Sequence, residues 1–429
     1  MPKFQQERNT FDLSHFSVQL GRIGRLQTLT RIPVLPGDSM SVSVAGVWKM
    51  SPLRRDLVLD AKVDLFAFYV PHRHIYDEGS QETWSDFIRS GNDESISFTT
   101  VNNNRILPYL VCNHRGDIPR YVPAGYNRIW NRYFRPPTDD SAIRPDTRIP
   151  TDDISVDYGI ECGWIPKLWS ATVDKEIGTS DETVNISSNR LNLLDLEQAK
   201  KHLRTERERE WFAQRYIDVM TGTWGTKVNI DADERPELCW RTSFWLSGYD
   251  VDGTAGDSLG QFAGKSQAIG GIEMPSKFFN EHGCLWVMAL VRFPTIFIDE
   301  KQYLDGKPNP SYKQIAGDPA ILSAEPPMEI NSGDWFARSN DRDVGYRPYG
   351  DWYREHPSWC HSNFDSLNGF PFYDTTEKSK SELRYVDSEY FENVFQTTQQ
   401  GHYRAQLRCN VMAKRYIPDP RASIFAGSR

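Results

Sequence analysis

Strict two-residue alternation in several short segments constrains this chain more than any other feature, because a period of two marks a strand buried on one face. In Ser39 to Val44, serines at 39, 41 and 43 alternate with Met40, Val42 and Val44. Leu26, Thr28, Thr30, Ile32 and Val34 share a second such face opposite Arg25, Gln27 and Arg31. Pro33, which has no N–H to give to a ladder, suits an edge or a strand end there. Pro36-Gly37-Asp38 supplies a turn between these two strands. From Leu57 to Leu65 apolar residues again alternate with Asp60, Lys62 and Asp64, and Phe66 to Val70 is apolar on both faces, so this strand should start exposed and end buried. Three further candidates lie downstream: Leu238 to Leu246, Leu285 to Phe293, and Ala405 to Ala413, the last with Ala405, Leu407, Cys409, Val411 and Ala413 on one side.

The strands therefore gather at the two ends of the chain and just past its middle, which predicts one all-β core built from segments at about 20–76, 235–295 and 384–418. The stretches between, about 77–234 and 296–383, are rich in Pro, Gly, Asn, Asp and aromatics and too long for ordinary connections, so they read as insertions into the β framework. Hydrophobic residues make up 38% of the chain and aromatics 13%, an aliphatic share lean enough to favour long, polar, aromatic-studded loops. Inside the first insertion Leu196 to Met220 has the amphipathic pattern of a helix with a charged, solvent-facing middle.

Several function classes lose support. Fifty basic against 58 acidic residues give −8, so the chain does not coat nucleic acid by bulk charge and any such contact must be local. The longest wholly apolar run, Cys284 to Val291, is far below the roughly 18–20 residues that span a bilayer. The N-terminus lacks the apolar stretch of a secretory signal, which predicts a cytoplasm-like compartment, and the six cysteines are scattered without a CxxC pair and read as free thiols. Gly260 to Ser266 resembles a phosphate loop but has three residues between its glycines where four are needed. Asp250-Val251-Asp252-Gly253 lacks the later carboxylates of a calcium loop and reads better as a turn. His72, His74, His356, Cys360 and His361 fit no zinc spacing, and no nucleophile or metallohydrolase motif is present, so neither an enzyme nor a cofactor is expected.

One stretch suits nucleic acid. Arg128, Arg132 and Arg135 fall on one helix face at i, i+4 and i+7, interleaved with Trp130, Tyr133 and Phe134, so guanidinium groups would hold phosphates while rings stack unpaired bases. The same residues equally suit an interface helix whose rings are core and whose arginines pair with carboxylates. Large rings in the insertions, Trp130, Trp352 and Tyr353 among them, are candidate anchors of subunit contacts.

Ordered strings along the whole chain also resemble one known family. Near the start are Asp12-Leu13-Ser14-His15, Gly24-Arg25-Leu26, Gly37-Asp38-Ser39 and Ser51-Pro52-Leu53-Arg54-Arg55. Val63-Asp64 is followed by Phe68-Tyr69-Val70-Pro71-His72-Arg73-His74, and later come Ser247-Gly248-Tyr249-Asp250-Val251-Asp252-Gly253-Thr254, Glu281-His282-Gly283, Ala289-Leu290-Val291-Arg292-Phe293-Pro294 and Gly369-Phe370-Pro371-Phe372. On these strings the chain resembles the major capsid proteins of the phiX-like single-stranded DNA bacteriophages, the Microviridae.

The resemblance implies an eight-stranded antiparallel jelly roll with very long loops, assembled as about sixty copies into a T=1 shell around circular single-stranded DNA. Periodicity accounts for six of those strands, and the other two come from the family. It further implies a small basic DNA-packaging protein, a spike protein, a pilot protein, and internal and external scaffolding proteins as partners, in a virion assembled in the bacterial cytoplasm. Charge agrees with a separate basic partner, since sixty subunits at −8 add about −480 to an anionic genome. Departures from the family at 77–122, 169–174 and 332–350 fall on loop surfaces that would meet spike or scaffolding proteins. The rival reading is a carbohydrate-binding, lectin-like jelly roll that forms no shell.

Overall fold

The computed structural model describes chiefly residues 8–53, 60–76, 100–103, 108–111, 116–135, 235–252, 262–293, 301–325, 343–347, 349–354 and 401–417, with isolated positions between them. Most of these belong to two antiparallel sheets, with few helices, so the chain is an all-β protein. The sheet-forming strands are β1 (Asn9–Asp12), β2 (His15–Gly21), β3 (Leu26–Val34), β4 (Ser39–Met50), β5 (Ala61–Pro71), β6 (Glu237–Leu246), β7 (Gly248–Asp252), β8 (Phe262–Phe278), β9 (Gly283–Arg292) and β10 (Tyr403–Arg415).

The larger sheet runs β1-β10-β4-β8-β7, with β2 continuing the edge that β1 begins on β10. The smaller runs β6-β5-β9-β3. Alternation dictates what lies between them. Val42 and Val44 of β4, Ile272 and Met274 of β8 and Leu407 and Val411 of β10 meet Ile32 of β3, Val63 and Leu65 of β5 and Val287 of β9 in one buried cluster. Each of these strands turns one face into this cluster, and none has enough apolar surface to fold alone.

In their described residues all six alternating segments lie on strands, residues 57–59 falling outside them, and four strands had no clear signal: the short β1 and β7, and the longer β2 and β8. β2 carries its apolar residues on the outside, and β8 is interrupted by Gly264, Gly270, Gly271 and Pro275. β3 differs in detail from its expected single face. A register shift between Val287 and Met288, opposite Thr30 and Thr28, sends Leu26 into a second cluster while Leu29, Ile32 and Val34 stay in the first. The predicted helix at 196–220 lies outside the described residues apart from Met220.

β5 and β9 are apolar on both faces because the smaller sheet is covered on both sides. Its outer face, with Phe66, Phe68, Val70, Trp286 and Met288, packs under the helix α2 (Tyr121–Tyr133), and the short helix α1 (His72–Tyr76) closes the same end. Gly125 makes this approach possible, since a Cβ there would stand 2.8 Å from the Trp286 ring.

The chain ends are locked at the Pro36-Gly37-Asp38 turn. Gly37 has φ of +81°, the left-handed region that other residues rarely adopt. Asp38, fully buried, accepts from the Leu35 N–H at 2.9 Å and pairs with Arg415 of β10 at 2.9 Å, and Arg415 also donates to the Pro33 carbonyl. Arg8 donates to the Gly37 carbonyl and, at 2.8 Å, to the Ser39 hydroxyl. Burial pushes the Asp38 carboxyl up, while the Leu35 N–H, Arg415 and Arg8 draw it back down, so losing one of these partners strands a buried charge.

Candidate nucleic-acid and subunit-contact surfaces

α2 carries the arginine and aromatic stretch, and the structure separates its two halves. Trp130 retains 2% of its surface and sits among Leu26, Phe66, Phe68 and Trp286. Phe134 meets Phe66 edge-on at 5.5 Å, and Tyr133 lies 4.8 Å from Phe68 and donates its hydroxyl to the Pro236 carbonyl at 2.6 Å. The rings thus serve the subunit core. Only Tyr133 keeps an exposed edge, and burial of the rest pushes its phenol up. Arg132 is exposed, whereas Arg128 and Arg135 are half-buried and engaged with neighbouring groups. Among the described residues of α2, no flat ring is left beside the guanidinium groups for a base to stack on, apart from that edge of Tyr133.

The candidate contact rings of the second insertion show a similar division. Trp352 retains 3% exposure, stacks on Tyr303 at 4.7 Å and donates its indole N–H to the Gln314 carbonyl at 3.1 Å. Tyr353, next in sequence, is 47% exposed while its hydroxyl shares the Gln314 and Ile315 carbonyls at 3.0 and 2.7 Å. Two short helices, Tyr312–Ile315 and Pro319–Ala324, complete this knob, each with a local cap. The Gln314 side chain accepts from the Ser311 N–H at 2.9 Å, and Asp318 accepts from the Ala320 N–H at 2.9 Å. Tyr312 and Ile315 are exposed on the first of these helices, where the Ile315 carbonyl takes the Tyr353 hydroxyl, and had no periodicity to announce them. Trp352→Ala should cost the isolated subunit about 3–5 kcal/mol in urea unfolding, as for a large core ring, and Tyr353→Ala well under half of that. Equal losses would mean that the exposed ring is as structural as the buried one.

Among the described residues, Cys239, Cys284 and Cys409 are free thiols, and burial pushes the Cys239 and Cys284 thiols up to about 12, which keeps them protonated and inert. No described helix is long and apolar enough to cross a membrane.

Comparison with known proteins gives these surfaces their context. The family model for "Capsid protein (F protein)" matches residues 1–190 and 179–425. The chain is 35% identical to capsid protein F of Escherichia phage G4, 38% to that of Enterobacteria phage phiK and 37% to that of Escherichia phage alpha3, with 98% of both chains covered in each case. With the sheet pair, the exposed knob and a match over nearly its whole length, the chain belongs to the capsid F protein family of the Microviridae, whose members are structural components of the phage shell.

Proposed function

We propose that the protein assembles as about sixty copies into a T=1 icosahedral shell enclosing a circular single-stranded DNA genome. The observation that carries this reading is the end-to-end similarity to capsid F proteins at 35–38% identity. The fold we infer is the eight-stranded jelly roll of viral capsids. Its support is strand order: β2-β10-β4-β8 and β3-β9-β5-β6 form two four-stranded layers, and from β2 to β5 and from β8 to β10 the chain passes from one layer to the other at each step, while β5 and β6 pair within the smaller layer. β1 and β7 are then additions at the margins, and the segments at 77–234 and 296–383 are the loops inserted between β5 and β6 and between β9 and β10.

Partners follow from the same reading: a small basic DNA-packaging protein, a spike protein, a pilot protein, and internal and external scaffolding proteins, in a particle built in the bacterial cytoplasm. Subunit contacts fall to Tyr353 on its knob, with Trp352 as the ring that holds it. A contact from α2 to the packaged strand would rest on Arg128, Arg132 and Arg135 with the edge of Tyr133, while Trp130 and Phe134 anchor the helix. The lectin-like alternative has no comparable support.

Electron microscopy of the purified native assembly distinguishes the readings. Closed shells of megadalton mass are expected, and a protein that remains a small oligomer under all assembly conditions would overturn the shell.

A further inference from the structure

The outward face of the larger sheet differs in composition from both the core and the chain as a whole. On β2 the usual alternation is inverted, with Phe16, Val18 and Leu20 outward and Phe16 79% exposed. Polar groups on the inward side hold this register. His15 Nε2 lies 2.8 Å from the Thr30 hydroxyl, and Ser17 and Gln19 donate to the Leu29 carbonyl at 3.0 and 2.9 Å. A slip of one residue would hide the apolar side chains but undo all three contacts, so the rings and aliphatics are held in water.

Pairing sets cations beside them. Arg408 of β10 lies opposite Phe16, and Arg404 lies between Leu20 on one side and Lys49 of β4 on the other. Arg404 and Lys49 form no ion pair among the described residues. Beyond β10 the floor drops to Ser43, Ala45 and Val47 of β4, and Ile269 of β8, 78% exposed, rises on its far side next to Val47. The central strands β4 and β10 present cations, amides, hydroxyls, small apolar groups and Met412 outward, with no carboxylate; Asp12, which feels the charge of Arg408, and Glu273 lie on flanking strands. In a chain of 58 acids and 50 bases this is a local reversal of sign.

Interfaces between proteins are enriched in arginine but depleted of Lys, Ser and Ala, and this face sets Lys49, Ser43 and Ala45 beside its arginines. A single-stranded polyanion with flat bases matches it better, because guanidinium and ammonium groups neutralise phosphates while exposed apolar side chains and rings receive unpaired bases. Arg404 and Arg408, four residues apart, stand about 14 Å from one another along the strand, a span that reaches past one nucleotide.

Resting on the reading of the chain as the shell around a single-stranded genome, we propose that this sheet face is a single-stranded DNA platform. Arg404, Arg408 and Lys49 hold phosphates, and Phe16 and Ile269 take bases on either side of the β4 floor. α2 covers the opposite side of the sandwich, so the two basic surfaces face away from each other and only one can line a closed interior.

The test uses the full-length protein, as subunits and as shells, with a fluorescent oligothymidylate of about 20 nucleotides, longer than the ~4–16 that one β platform covers. Arg404→Gln with Arg408→Gln should reduce the slope of log affinity against log salt by about 1.4, two phosphates at about 0.7 each. Phe16→Ser should weaken binding about tenfold at an unchanged slope. Both should melt at the wild-type temperature, since these side chains point outward. Substituting Gln for Arg128, Arg132 and Arg135 tests the rival contact on α2, since only one of the two surfaces can line a closed interior. The proposal is overturned if the wild type does not bind, if the sheet variants bind normally, or if only the α2 variant loses binding. It is also overturned if Phe16→Ser blocks shell formation while subunits still bind the oligonucleotide, which would make the face a contact between copies. Whether wild-type protein forms shells in micrographs is read independently and judges the capsid assignment alone.

Discussion

Deleting the last 30 residues, 400–429, is expected to leave no folded, soluble subunit. β10 is an interior strand, with β1 and β2 along one side and β4 along the other. Its inward side chains, Tyr403, Ala405, Leu407, Cys409, Val411 and Ala413, are all buried in the main cluster. Tyr403, Leu407 and Val411 alone contribute about 1.5–3 kcal/mol each, against a typical net stability of about 5–15 kcal/mol for a whole domain. The deletion also strips Asp38 of Arg415, leaving a buried carboxylate without its cation. Two strand edges would be opened besides, and unpaired edges favour aggregation. The measurement is the soluble fraction and the far-ultraviolet circular dichroism of the truncated chain beside the full-length one. A soluble, sheet-rich product would show that the N-terminal strands close without β10. Leu407→Asp, which keeps the backbone ladder, should destabilise in the same direction and less completely.

How far the fold could be read in advance depended on which face each strand buries. Ser39 to Val44 and Ala405 to Ala413 sit in interior strands of the larger sheet with one face in water, so hydrophobic alternation reported them directly. Leu285 to Phe293 and the end of β5 are apolar throughout, which showed that both faces are covered without showing that α2 covers one of them. β2 obeys the opposite pattern, because Ser17 and Gln19 reach the Leu29 carbonyl inside while Phe16 and Val18 remain outside. Period alone cannot tell a strand with an apolar outer face from one with an apolar inner face. β8 was hidden by glycines, two of which, Gly270 and Gly271, lie where a Cβ would meet the Phe244 ring or the Val44 carbonyl. The candidate contact residues fared differently for a related reason. Ring-rich sequence cannot distinguish a ring that anchors its own subunit, as Trp130 and Trp352 do, from one left half in solvent, as Tyr353 is. That distinction is set by long-range packing, and Trp130 shares its cluster with residues as distant in sequence as Leu26 and Trp286.

The subunit should lose stability steeply between about pH 6.5 and pH 4. Burial holds the His72 imidazole at about 4, and both His282 and His402 at about 3. For His282 the neighbouring His72 adds to the effect of burial, and for His402 the nearby Arg22 and Arg25 do. His72 packs against Trp84 and Tyr121, with its backbone N–H on the His282 carbonyl at 3.0 Å, and the buried Arg73–Glu281 pair adjoins them. His402 stacks on Phe395 at 4.7 Å, and its Nδ1 accepts the Ile23 N–H at 3.1 Å, so protonating that nitrogen breaks a bond at the start of β3. All three are neutral in the folded chain, whereas unfolded histidine titrates near 6.5. Above that pH their contribution is fully present. Below it the unfolded chain gains protons that the folded one refuses, so stability falls by about 1.4 kcal/mol per pH unit for each histidine until the folded values are reached. Ordinary carboxylates titrate near 4 and leave most of this window to the histidines. Urea unfolding midpoints followed from pH 7.5 to 4 give the slope directly. His402→Gln retains an acceptor for the Ile23 N–H and should flatten the curve by one histidine's share. A variant whose slope matches wild type would place the acid sensitivity elsewhere.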